Sequence, residues 1–225
     1  VSQTRTIGLL QLDPEAPPGL IGAVAARCGV ALSMLDATAP PPTGGLIVLG
    51  SGAARVDPEG PLVAVLRQCV AAGSPVLAVD AAAQALAVAA SGAVRAGESH
   101  EFGYVDLSPT AATAADPVLH VLGTGLPVME WHDDAIDLPE GIPVLAHCGR
   151  ARVQAFRAGP RAYGLRFHPG ATAETVRRWA ALRGKAKNNP AIRVRIGAEI
   201  VRHQDRAERF GERLIEAWLA LAVAG

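Results

Sequence analysis

Three absences narrow this sequence before any motif is considered. It has no surplus of charge: Lys plus Arg and Asp plus Glu number 21 each. No net field draws the chain onto nucleic acid or an anionic membrane, so polyanion binding is set aside. Cysteine is scarce, and Cys28, Cys69 and Cys148 stand far apart with no C-x-x-C pair. That spacing argues against zinc or a redox couple and makes a reduced, cytoplasmic setting the expectation. Long hydrophobic runs are also missing, because Arg, Gly and Pro interrupt the apolar stretches. A membrane-spanning helix is not expected, nor is a signal peptide, since the polar stretch Ser2 to Thr6 leads straight into a strand-like run.

What is present suits one sizeable core. Half of the 225 residues are apolar, enough for a single α/β domain over 1–225, with a helical extension at about 185–225. Short β-type runs bounded by Gly and Pro alternate with Ala/Leu-rich helical runs in the first ninety residues, the pattern of parallel βαβ units. Strands are expected at 7–12, 30–35, 46–49 and 76–79, and helices at 19–28, 61–72 and 81–90. From Phe102 onward the texture becomes a meander, with strands at 102–107, 128–131, 144–147, 153–157 and 163–167. A helix at 172–182, a polar connector at 184–190 and a long amphipathic helix at 199–221 complete the reading.

The most informative stretch is Val76-Leu77-Ala78-Val79-Asp80-Ala81-Ala82-Ala83-Gln84. A buried strand feeds directly into a helix, with one polar residue at the junction and only small residues around it. This is the pattern of a nucleophile elbow, where a sharp turn presents one side chain above a sheet, beside backbone N–H groups.

At this point the chain resembles the class I glutamine amidotransferases, over nearly its full length, and most closely stand-alone members similar to the amidotransferase domain of GMP synthase. The family's G-I-C-L-G-x-Q elbow aligns with Ala78 to Gln84, which puts Asp80 in the cysteine position. Its F-H-P-E segment aligns with Phe167-His168-Pro169-Gly170, which keeps the histidine and replaces the glutamate by Gly170. Leu49-Gly50-Ser51-Gly52 falls where the family has an oxyanion-hole loop. Glu101-Phe102-Gly103-Tyr104 and Trp131-His132-Asp133-Asp134 fall where it contacts glutamine, and Gln154 to Arg157 with Ala162 to Gly164 matches the hairpin before the histidine.

The resemblance implies a flavodoxin-like three-layer sandwich with a mainly parallel central sheet. It also implies a ligand site built from Gly50, Ser51, Ala81, Gln84, Glu101, Trp131, His132 and Asp134, beside an Asp80/His168 dyad. Glutamine hydrolysis needs a thiolate, a base to hold it and N–H donors for the oxyanion. A carboxylate is a poor nucleophile toward an amide, so loss of glutaminase activity is expected. Asp80 and His168, if they face one another, are expected to form an ion pair, with Asp80 also capping the following helix.

Other readings remain beside this one. An Asp80/His168 dyad suits a hydrolase, cyclase or transferase acting on a specialised metabolite. The pocket can instead be vestigial in a protein that docks on a synthase or forms a homodimer, with Ile200, Phe210, Leu214, Trp218 and Leu221 supplying a packing stripe. The neighbours His132, Asp133 and Asp134 are not read as a metal site, because adjacent residues rarely aim at one ion. Gly50-Ser51-Gly52 lacks the third glycine of a dinucleotide fingerprint, and no cofactor is expected.

Overall fold

The computed structural model describes residues 5–36, 44–50 and 56–224. In chain order the elements are β1 (Arg5–Gln11), α1 (Leu20–Arg27), β2 (Val30–Met34), β3 (Leu46–Leu49), α2 (Pro61–Ala71), β4 (Val76–Val79), α3 (Ala81–Ala89), β5 (Ala93–Arg95), β6 (Glu101–Pro109), β7 (Leu126–His132), β8 (Ala135–Asp137), β9 (Val144–His147), β10 (Ala155–Ala158), β11 (Ala162–Leu165), α4 (Ala173–Ala186) and α5 (Ala191–Val223).

Nine strands form one sheet in the order β2-β1-β3-β4-β11-β10-β9-β6-β7. The five from β2 to β11 run parallel, and the remaining four extend the sheet by antiparallel pairing. Strands β3, β4 and β11 are buried at every position, as strands covered on both faces must be. One layer packs α1 and α5 through Ile21, Val24, Phe210, Leu214 and Trp218 against one sheet face. The other packs α2 and α3 through Val63, Leu66, Ala82 and Leu86 against the opposite face. The result is the expected flavodoxin-like three-layer sandwich.

Helix α5 begins earlier than the sequence suggests. The polar stretch 184–190 reads as a connector, but α4 runs through Gly184 to Ala186, and Pro190 caps a 33-residue helix. Proline at a helix start costs little because that N–H has no intrahelical acceptor. The stripe expected on this helix turns inward: Phe210, Leu214 and Trp218 are fully buried and Ile200 nearly so, while Leu221 is half-buried. The Trp218 indole N–H donates to the Val76 carbonyl at 3.1 Å, which ties α5 to the central strand. Among the described residues, no helix is long and apolar enough to cross a membrane.

If α5 is part of the core, Trp218→Ala lowers stability by about 3–5 kcal/mol through lost burial and a residual cavity. Urea unfolding measures it, and a loss well under about 1 kcal/mol would mean that α5 is a detachable arm.

Candidate functional site

Parallel pairing of β4 with β11 builds the centre of the site. Val79 lies opposite Leu165, so both strands finish at the same edge, where ligands of open α/β sheets bind. Asp80 follows β4 at once, and its N–H donates to the Leu165 carbonyl at 2.7 Å. His168 follows β11 by three residues, and its N–H donates to the Met129 carbonyl of β7 at 2.9 Å.

Asp80 adopts φ 55° and ψ −110°, a sparsely populated conformation for a residue with a Cβ, which costs of the order of 1–3 kcal/mol. The expected elbow is therefore present. Its neighbours must be small. A Cβ on Gly50 would lie 2.9 Å from the Ala81 Cβ and 3.2 Å from the Ala82 nitrogen, so the chain leaving β3 rests directly on the first turn of α3. Ser51, expected beside Gly50, lies outside the described residues.

Asp80 and His168 do face one another, but not as expected. The His168 Nε2 to Asp80 Oδ2 distance is 3.7 Å, too long for a hydrogen bond. Both Asp80 oxygens and His168 Nε2 are buried without a hydrogen-bond partner. The cap is absent as well, since the Asp80 side chain accepts no N–H from α3; φ 55° turns it away from the helix axis, toward His168. Burial raises the Asp80 carboxyl from 3.8 to about 7, against the pull of Arg166 and His132. Burial, with the cationic His132 and Arg166, lowers His168 from 6.5 to about 3. At neutral pH the contact therefore joins a neutral imidazole to a half-protonated carboxyl.

The place expected for the orienting glutamate is tight. A Cβ on Gly170 would fall 3.0 Å from the Pro18 carbonyl oxygen and 3.1 Å from Ile21 Cγ1, while the Gly170 carbonyl accepts the Leu20 N–H at 3.0 Å. The cavity beside His168, Gly50 and Gly170 holds about 20 Å³, room for a single water. The His168 ring instead rests on Trp179, with centroids 4.5 Å apart.

The remaining expected residues gather on the antiparallel extension. Pairing of β6 with β7 sets Glu101 directly opposite His132. On the other face of β7, Trp131 packs edge-on against Trp179 and Phe102. Asp134 accepts the Gly97 N–H at 2.9 Å, and Gln84 is buried on α3 with its Oε1 unpartnered.

Four residues not expected from the sequence complete this polar interior. Gln154 Nε2 donates to Glu101 Oε2 at 2.6 Å, and the Cys148 thiol donates to Glu101 Oε1 at 3.1 Å. Glu130 is fully buried, with its carboxyl raised by that burial. Arg166, 1 % exposed, donates to the Asp134 carbonyl at 2.9 Å, and burial lowers its pKa. A charged residue between Met129 and Trp131 in an otherwise apolar strand was the available signal for Glu130.

Burial opposes protonation of His132, but the Glu101 and Glu130 carboxylates outweigh it and raise the imidazole to about 9. Glu101 is also buried, which alone would raise its pKa, yet the adjacent His132 cation and the hydrogen bonds from Cys148 and Gln154 hold it below the ordinary value. Beside this cluster opens a cavity of about 420 Å³, lined among others by Ser99, His132, Asp134, Glu98, Arg150 and Arg152. That volume suits a small ligand. His132 and Asp134 reach it, whereas Asp80 and His168 do not line it.

The two elbow shifts act on stability in opposite directions. Asp80 is raised in the folded state, so its contribution is full below 3.8 and lost as pH rises through about 7. His168 is lowered, so its contribution is full above 6.5 and lost as pH falls through about 3. Relative to wild type, Asp80→Asn should gain stability as pH rises from about 4 to about 7, and His168→Gln should lose it. Urea midpoints across that range measure both, and parallel profiles for all three proteins would contradict the assignment.

No family model matches the chain, and no curated protein matches it by sequence. Solved structures do resemble it. A glutamine amidotransferase from Thermotoga maritima superposes with a TM-score of 0.81 at 18% identity, covering 99% of this chain and 100% of its own. A glutamine amido transferase from Methylobacillus flagellatus gives 0.75 at 22% identity, covering 96% of this chain and 94% of its own. A candidate GMP synthase subunit from Thermoplasma acidophilum gives 0.66 at 17% identity, covering 97% and 94%. The chain therefore has the α/β fold of the class I glutamine amidotransferases along essentially its whole length.

Proposed function

We propose that this protein is a degenerate glutamine amidotransferase-like protein that does not hydrolyse glutamine and instead binds a small amino-acid-like or amide ligand. One observation carries the reading: Asp80, not a cysteine, occupies the strained apex of the elbow facing His168. The three thiols are placed elsewhere. Cys28 is exposed at the end of α1, Cys69 is buried in α2, and Cys148 is bonded to Glu101. Without a thiolate there is no acyl-enzyme route, and a buried half-protonated carboxyl facing a neutral imidazole does not replace it.

The cavity lined by His132 and Asp134 supports the binding half of the proposal. Arg150 and Arg152 supply cations to its wall, and Glu98 and Asp134 supply carboxylates, a charge pair suited to the carboxylate and ammonium of an amino acid. The likeness to a candidate GMP synthase subunit from Thermoplasma acidophilum supports docking on a synthase partner, with a homodimer as the other arrangement. All three cysteines are free, which supports a reducing, cytoplasmic setting.

Purified protein should release no ammonia from glutamine above the buffer blank; turnover abolished by Asp80→Ala would overturn the proposal. Asp80→Cys with Gly170→Glu should not restore full activity, because the added side chain meets Pro18 and Ile21. Overpacking of that kind costs about 1–3 kcal/mol. L-Glutamine or a related amino acid should raise the melting temperature, by up to about 2.7 kcal/mol of added stability at a hundredfold excess over Kd. Asp134→Ala with Arg150→Ala should abolish the shift. An unchanged melt across the amino acids and their amides would remove the ligand reading.

A second reading draws on the unpartnered Asp80 carboxyl, whose value near 7 is that of a group able to exchange protons at neutral pH. In that reading Asp80 serves a hydrolase, cyclase or transferase as nucleophile or proton carrier. Incubation with a small epoxide distinguishes the nucleophilic version: an ester on the Asp80 peptide, lost in Asp80→Asn, supports it, and no adduct removes it.

A further inference from the structure

The buried polar cluster on β6 and β7 brings three side chains able to ligate a metal to one point. Glu101, Glu130 and His132 offer three ligand atoms within 4.8 Å of one another, all buried. Their convergence follows from strand geometry. Glu130 and His132 are two apart on β7 and share a face, and Glu101 is the cross-strand partner of His132.

His132 Nε2 lies 3.1 Å from Glu101 Oε2 and 3.1 Å from Glu130 Oε2. Neither contact is a hydrogen bond, because Nε2 and both Glu130 oxygens are without a partner in suitable geometry. A proton on Nε2 would point at neither oxygen. The opposite ring nitrogen is already committed. Nδ1 lies 3.1 Å from the Ser99 carbonyl oxygen, which can only accept, so Nδ1 carries the proton. Once an incoming metal ion displaces the Nε2 proton, that nitrogen turns a lone pair toward two carboxylates. Three lone-pair donors converging in a buried space is an arrangement stabilised by a cation at their centre.

We propose that Glu101, Glu130 and His132 form a binding site for a divalent first-row transition-metal ion. In a tetrahedral shell with bonds of about 2.0–2.1 Å, neighbouring ligand atoms sit about 3.3 Å apart. The two 3.1 Å separations around Nε2 are close to that spacing. One imidazole and two carboxylates make a mixed N,O set suited to Zn²⁺, Mn²⁺ or Fe²⁺. The outer contacts are those that ligands of such ions carry: the Ser99 carbonyl on Nδ1 of His132, and Gln154 on Glu101. Charge agrees as well, since a dication neutralises two carboxylates whose burial is otherwise costly.

Ions have a route inward, because His132 lines the cavity of about 420 Å³ and Glu101 lines a second of about 440 Å³ on the surface. The neighbouring carboxylates take no part. Asp133 is engaged by Arg183 and His100, and Asp134 by the Gly97 amide. The site stands apart from the question of glutaminase activity, and a failure of either proposal leaves the other intact.

The test uses the full chain, stripped with a chelator and titrated separately with Zn²⁺, Mn²⁺, Mg²⁺ and Ca²⁺ by calorimetry, with metal content measured after gel filtration. One equivalent of Zn²⁺ or Mn²⁺ should be retained, with a rise in melting temperature that Mg²⁺ and Ca²⁺ do not reproduce. Glu130→Gln, which keeps the side-chain shape, and His132→Gln should each bind roughly 100-fold more weakly or not at all. If these variants do not fold, the spectrum of Co²⁺-loaded wild type decides, with nitrogen and oxygen ligation expected and an unperturbed aqua-ion spectrum counting against the site. No retained ion and no thermal shift in wild type, or equal affinity in folded Glu130→Gln, would overturn the proposal.

Discussion

The turn at Asp80 is the constraint on which the rest of the molecule depends. A non-glycine residue holds φ 55° between the central strand and the helix behind it, a conformation that persists only when its surroundings enforce it. Enforcement comes from the Leu165 carbonyl taking the Asp80 N–H, from the contact of Gly50 with Ala81, and from the fully buried parallel strands on either side. The same turn leaves the carboxyl without donors. Burial then governs its chemistry, favouring the protonated acid where a thiolate enzyme requires an anion.

From this follows a division of the polar interior into two parts of different character. At the parallel edge, Asp80 and His168 are buried and unpartnered, a half-protonated carboxyl facing a neutral imidazole, with room beside them for about one water. On the antiparallel extension, Glu101 and Glu130 flank His132 and raise its pKa, Arg166 lies nearby just past β11, and a ligand-sized cavity opens alongside. The sequence resemblance implies a single site joining these regions. Here Gly170 lies tight against Pro18 and Ile21, Trp179 packs on the imidazole, and the open space belongs to the second region alone.

Much of this is legible in the sequence, for identifiable reasons. The strands at 46–49, 76–79 and 144–147 have the bounds that their apolar runs and flanking Gly and Pro suggest. The elbow is readable because only small residues surround Asp80. Side-chain geometry is not readable: nothing in the string says that Asp80 points away from the α3 amides, or that His168 lies beyond hydrogen-bond reach. Glu130 escapes notice because a lone charge in a strand gives no hint of which face it takes, and Arg166 because it falls just past the end of β11. The short pair β5 and β8, three residues each, is half exposed and carries no periodic pattern. Asn188, Asn189 and Pro190 suggest a long connector, whereas they form only the bend between α4 and α5.

The most direct measurement is a site-resolved titration of the Asp80 carboxyl, by carbon-13 NMR of aspartate-labelled protein with Asp80→Asn as the assignment control. A carboxyl buried at the apex without donors should titrate near 7, as burial dictates. A value at or below the ordinary 3.8 would mean that Asp80 is solvated, capped or ion-paired, and the account of the closed elbow would be wrong.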